Sequence, residues 1–204
     1  MLINNKYSGV TPAFIIWNLI QRYTKEGDLV IDPMCGSGTT IDVCKDEKRK
    51  VKGFDIVPYR KDIVQADAIS LPIKNEIADF VFIDSPYSNN IRYNDHPRNI
   101  GNISCEDPEF FIELEKVAKE IYRILKTEKY VAWLIRDQAQ KKKFTAVGYK
   151  LYGILIKYFT PIDWICVVRH NQTSNTNLWH YRAKKYNFYL RGFKHLFIMK
   201  KLTN

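Results

Sequence analysis

Apolar positions along the chain follow two rhythms. Short, largely apolar runs close on an acid: DLVID (28–32), VKGFD (51–55), DIVQAD (62–67) and ADFVFID (78–84). Between them lie longer stretches in which apolar residues recur at helical spacing. Runs of this kind, rich in branched and aromatic residues, predict strands. YVAWLIR (130–136), DWICVVRH (163–170) and the segment His195–Lys200 extend the series. Thr11-Pro12 reads as a helix cap followed by proline at the first helical position. Phe14, Ile15, Ile16, Trp17, Leu19, Ile20 and Tyr23 then line a helix to about Lys25, which Gly27 ends. A second helix follows PMCGSGTT to about Asp46, a third runs from Asp107-Pro108 to about Leu125, and a fourth covers Val147–Tyr158.

Strands alternating with helices predict an α/β domain, doubly wound around a mostly parallel seven-stranded sheet. The last two strands have no obvious helix between them, which puts an antiparallel strand at one edge. No Pro/Gly/Ser-rich linker divides the chain, so residues 1–204 read as one domain with two long polar loops, 88–106 and 171–191. A chain of 204 residues that is 46% hydrophobic can bury one core and does not read as disordered. Its apolar runs are strand-length and its opening MLINNKYSGV is polar, so neither a membrane span nor a signal peptide is expected, and the expected location is cytoplasmic. Cys35, Cys44, Cys105 and Cys166 form no CxxC. With His96, His170, His180 and His195 they complete no ligand spacing, so free thiols and no metal are expected. The net charge of +10 attracts polyanions.

In open α/β sheets, ligands bind beyond the carboxyl ends of the strands. Four features fall there: DPMCGSGTT (32–40), Asp55, ADA (66–68) and DSPY (84–87). Gly36 and Gly38 let a turn approach a ligand closely, and the following helix offers free N–H groups. No lysine follows the glycines, so this is not a nucleotide-hydrolase loop, and Ile41 stands where a dinucleotide fingerprint needs its third glycine. The turn suits a phosphate or, equally, a small ligand with a carboxylate, an amine and a ribose. Asp55 stands where an acid accepts hydrogen bonds from ribose hydroxyls, or where it caps a turn. Asp67 suits a purine amine. In DSPY, Pro86 stiffens the turn and turns the Ser85 carbonyl outward. That carbonyl and Asp84 make two acceptors for an exocyclic amine, and Tyr87 offers a flat face to a base.

The order TPAF, DPMCGSGTT, GFD, ADA, DSPY resembles the S-adenosylmethionine-dependent DNA amino-methyltransferases, which methylate adenine N6 or cytosine N4. The resemblance implies a Rossmann-like methyltransferase fold and S-adenosylmethionine as cofactor. By motif it assigns Thr11, Pro12 and Phe14 to the methionine moiety, and Asp32, Pro33, Cys35, Gly36, Gly38 and Thr39 to the cofactor pocket. Asp55 falls to the ribose, Asp67 and Ala68 to the adenine, and Asp84, Ser85, Pro86 and Tyr87 to the target base. Two positions depart from the family pattern. Met34 stands where Phe is frequent, and Ser85 replaces the first proline of an Asp/Asn/Ser-Pro-Pro-aromatic tetrad.

A base inside a duplex cannot reach such a pocket, so the resemblance implies base flipping and double-stranded DNA as partner. Candidate grips are Arg92 and Arg98, the triple lysine Lys141, Lys142 and Lys143, and Asn171, Gln172, Trp179, Arg182, Lys184 and Lys185. Asn and Gln in the 171–191 loop can read adenine edges. The leading reading is a site-specific DNA methyltransferase acting on adenine N6 or cytosine N4, with restriction–modification as its context and a homodimer and a cognate restriction endonuclease as open partners. An RNA methyltransferase acting on a base amine of tRNA or rRNA is the alternative.

Overall fold

The computed structural model describes residues 10–91, 93–140, 143–168 and 176–203. The strands are β1 (Leu29–Asp32), β2 (Lys50–Asp55), β3 (Ile63–Gln65), β4 (Ala78–Asp84), β5 (Leu125–Ile135), β6 (Gln138–Gln140), β7 (Lys143–Thr145), β8 (Thr160–Val168) and β9 (Phe193–Lys200). The helices are α1 (Ala13–Tyr23), α2 (Thr39–Asp46), α3 (Pro108–Ile124), α4 (Val147–Leu155) and α5 (Asn177–Lys185). Seven strands form one sheet in the order β3-β2-β1-β4-β5-β9-β8. β9 runs antiparallel to both neighbours, while the pairs among β1 to β5 are parallel. The sheet is the expected one, with its antiparallel strand one place in from the outermost strand, β8.

Side-chain alternation along the central strands sorts the core into two layers. Phe80 and Phe82 of β4, with Ala132 and Leu134 of β5, face Ile15, Ile16, Leu19 and Ile20 of α1 and Val43 of α2. The intervening Val81, Ile83, Val131 and Trp133 face the other side, against Phe110, Leu114 and Ile121 of α3 and Leu151 and Leu155 of α4. The central strands are thus buried on both faces, which is why they read as continuous apolar runs.

Local chemistry sets several boundaries. Asp107 caps α3 by accepting the Glu109 N–H at 2.9 Å. Thr11 makes no such cap on α1, because its hydroxyl donates instead to Asp84, 73 residues away, at 2.6 Å. β5 begins at Leu125, directly off α3, five residues before the apolar pattern starts at Tyr130, since Lys126–Lys129 are polar. Two elements have no counterpart in the sequence reading: the β6–β7 hairpin, in a stretch given no element, and α5, in the stretch read as the 171–191 loop. No residue of α5 is buried, so it has no apolar stripe that periodicity could find. Near the far edge, Trp164 donates its indole N–H to His195 Nδ1 at 3.0 Å, so Nε2 is the nitrogen that donates to Asp137 at 2.9 Å. Among the described residues, no helix is long and apolar enough to cross a membrane, and no group of three His, Cys, Asp or Glu residues could hold a metal.

Lys201, 5% exposed, closes the carboxyl end of α3, donating to Tyr122 O at 2.8 Å, Leu125 O at 2.9 Å and Glu76 Oε1 at 2.9 Å. A cation suits a helix C-terminus, and its loss orphans carbonyls that water reaches poorly. The K201M variant is expected to lose about 2–3 kcal/mol of unfolding free energy in urea titrations.

Candidate active site

The chain leaves β1 for β2 and β3 on one side, then crosses back to β4 on the other. β1 and β4 therefore flank the switch point, where adjoining connections diverge and leave a crevice. A cavity of about 530 Å³ opens there. It is bordered by the lead-in to α1, the glycine turn after β1, the ends of β2 and β4, the 93–100 loop and Lys194 of β9. Of the residues matched to cofactor and base, Thr11, Pro12, Phe14, Asp32, Pro33, Cys35, Gly36, Thr39, Asp55, Asp67, Ala68, Asp84, Ser85, Pro86 and Tyr87 all line it.

Gly38 does not. It caps α2 with φ +85°, and Arg60 packs on its outer side, where an added Cβ would meet the guanidinium at 2.7 Å. Only glycine serves there, but to start the helix rather than to touch a ligand. Gly53 of β2 has a parallel task. A Cβ there would stand 2.6 Å from Cys35 Sγ, so its absence lets the glycine turn pack onto the strand.

Each acid at the rim is held by its own donors. Asp32 accepts from the Thr40 hydroxyl at 2.5 Å and the Met34 N–H at 3.1 Å, stapling the turn to itself. Burial pushes its carboxyl up to about 7, against those two hydrogen bonds. Asp55 accepts from the Gly36 N–H at 2.9 Å and the Val57 N–H at 3.1 Å, and burial again raises its pKa. It thus caps its own turn, as the alternative reading of the residue had it, while bordering the cavity. Asp67 accepts from the Ile69 N–H at 3.1 Å and from Arg98 Nε at 2.6 Å. Arg98, expected to grip nucleic acid, pairs with Asp67 at the cavity rim while its side chain stays 58% exposed, and residues of loop 88–106 form part of the cavity wall. Asp84 Oδ2 receives both Thr11 Oγ1 and Lys194 Nζ, each at 2.6 Å.

The side chain of Ser85 turns to β5. It is 2% exposed and accepts the indole N–H of the fully buried Trp133 at 2.8 Å. This accounts for the departure from a Pro-Pro tetrad: a tryptophan on β5 needs an acceptor, and a serine supplies one. Tyr87 is half-buried, with the Arg136 guanidinium 5.9 Å from its ring centre. Sequence reading did not single out Lys194, Trp133 or Arg136. The available signal for Lys194 was the antiparallel sense of β9, which returns the first residues of that strand to the rim where the parallel strands end.

Beside this cavity the missed hairpin joins the two long loops. Gln138 of β6 exchanges amide hydrogen bonds with Asn90, and Arg191 stacks on Phe144 of β7 at 4.6 Å. Lys143 pairs with Glu106 at 3.0 Å. Arg182 lies over Trp179 at 5.2 Å on α5, which also carries Lys184 and Lys185. Arg92, Lys141, Lys142, Asn171 and Gln172 lie outside the described residues.

The cavity has a size suited to a small ligand. Asp32, Asp55, Asp67 and Asp84 outnumber Lys194 and Arg98 among its ionisable side chains. An excess of carboxylates fits a ligand that carries more positive than negative charge and presents hydroxyls, as S-adenosylmethionine does.

Residues 2–66 match a family model for N6/N4 DNA methylases, described as DNA methylase. No curated protein matches the chain in sequence. Solved structures share the fold at low identity. An S-adenosylmethionine-dependent methyltransferase from Methanosarcina mazei has 15% identity and TM-score 0.58, covering 91% of this chain and 98% of that one. TrmN from Thermus thermophilus has 17% and 0.60, covering 93% of this chain and 48% of that one. The cyclase SpnF has 14% and 0.61, covering 94% and 82%. A cyclase on this fold shows that architecture alone does not fix chemistry. In fold the chain is similar to S-adenosylmethionine-dependent methyltransferases, and its cavity suits that cofactor. Its residues 2–66 carry the signature of the DNA amino-methyltransferase family, as the motifs led one to expect.

Two outcomes follow from these contacts. S85P strands the Trp133 N–H and is expected to cost about 1–3 kcal/mol in urea unfolding. In a W133F background the same change should cost markedly less, and equal costs in both backgrounds would remove the pairing as the reason for serine. Burial holds the Asp32 carboxyl up at about 7 in the folded protein against an ordinary 3.8, so its stabilising share is complete below pH 3.8 and is lost as pH rises through 7. Melting across that window should show a downward slope with rising pH that D32N flattens.

Proposed function

We propose that the protein transfers a methyl group from S-adenosylmethionine to the exocyclic amine of a base flipped out of duplex DNA, adenine N6 or cytosine N4. One observation carries this reading: Asp84 and Tyr87 line the same cavity as the glycine turn and Asp55. In this reading donor and base share one cavity.

When bound, S-adenosylmethionine supplies an electrophilic methyl carbon on a sulfonium. An exocyclic amine is a poor nucleophile because its lone pair is delocalised into the ring. Acceptors on its two N–H bonds favour a tetrahedral nitrogen with the lone pair free for in-line attack. Asp84 and the Ser85 carbonyl fill that role, and Tyr87 holds the ring plane. Positioning of this kind can supply roughly 7–11 kcal/mol. No covalent enzyme intermediate is needed. Cys35 lines the cavity, but burial first, then Asp32 and Asp55, drive its thiol well above the ordinary range, so it stays protonated.

Support for a nucleic-acid substrate comes from the carboxyl-terminal part. After Asp163 the sequence holds no acid, while Arg182, Lys184, Lys185 and Arg191 accompany exposed Trp179, Tyr181 and Tyr189. Basic groups bind phosphates, and flat exposed rings suit unstacked bases.

Nucleosides from the DNA of cells expressing the protein should contain N6-methyladenine or N4-methylcytosine by mass spectrometry. D84A should reduce methyl transfer about a hundred-fold or more. Methylated bases confined to tRNA or rRNA would move the activity to RNA, and full transfer by D84A would remove Asp84 from the mechanism.

A further inference from the structure

We infer that Lys194 is a positioning residue of the methyl-transfer site: with Thr11 it clamps one oxygen of Asp84 and reserves the other for the target amine. The inference rests on the role given to Asp84 above. Lys194 stands near the start of β9, opposite Val167 of β8, 110 residues beyond the acid it meets. Its Nζ and the Thr11 hydroxyl both lie 2.6 Å from Oδ2, and among the described residues Oδ1 receives no donor. The Lys194 and Asp84 side chains are only 16% and 14% exposed, so water competes weakly for the pair.

Three points distinguish a clamp from an incidental ion pair. First, among the described residues the other rim acids show no lysine partner: Asp32 and Asp55 rely on hydroxyl and backbone donors, and Asp67 takes Arg98. Second, two short bonds on one oxygen hold the carboxylate plane, since turning the group out of that plane would weaken both at once. Third, the cation is of the right kind. A guanidinium is a planar fork that spans both oxygens of a carboxylate, whereas an ammonium is a point donor that engages one. Lysine therefore secures the acid while leaving an acceptor for substrate, and arginine would cover it.

The test uses the full-length protein, labelled donor, and both duplex DNA and total RNA as acceptors. K194M should lower kcat roughly 10–100-fold with donor affinity by calorimetry held within about two-fold. K194R, which keeps the charge, should fall comparably rather than rescue, because a fork occupies Oδ1. A K194M or K194R enzyme with wild-type kcat would overturn the inference. Thermal melting of K194M, D84N and the double variant needs no substrate. Non-additive shifts are expected, and additive ones would show that the clamp does not exist in solution. Failure of the wild-type protein to label DNA or RNA, despite binding donor, would contradict the proposed function instead.

Discussion

Acids that end parallel strands are brought close together where the sheet reverses its order, and in a site this enclosed each needs donors of its own. Each rim acid here finds different ones, and these donors join the parts of the site. Asp55 draws the glycine turn onto β2 through the Gly36 N–H. Asp67 fastens the 93–100 loop through Arg98. Asp84 joins the segment before α1 to β9 through Thr11 and Lys194. Unpaired, buried carboxylates would repel one another and cost several kcal/mol each. The same contacts that neutralise the crowding thus set the cavity walls.

The layers behind the rim make this possible. Strands buried on both faces put rigid backbone under each acid, and Gly53 allows the turn to sit directly on β2. The Trp133–Ser85 bond extends the support to the tetrad, since β5 holds the serine from below. A site resting on strand ends and locked turns is better placed for in-line transfer than one built on loops alone.

Much of this could be read from the chain. The acid-terminated runs located four of the seven sheet strands, and the glycine turn with DSPY located the cavity, because strand-end chemistry is local in sequence. What could not be read was tertiary. Thr11 looked like a helix cap, yet its hydroxyl bonds to an acid 73 residues away. Gly38 looked like a ligand contact but starts a helix under Arg60. Lys194 looked like any charge on a late strand. Each misreading concerns a side chain whose partner lies on another element, which neither periodicity nor spacing encodes. The helix α5 escaped notice because it buries nothing.

A crystal structure with a stable donor analogue tests the central claim most directly. The ribose is expected against Asp55 and the sulfur side of the molecule toward Asp84 and Tyr87, inside the switch-point cavity. A donor analogue bound elsewhere, or separated from Asp84 by the wall of the cavity, would contradict it.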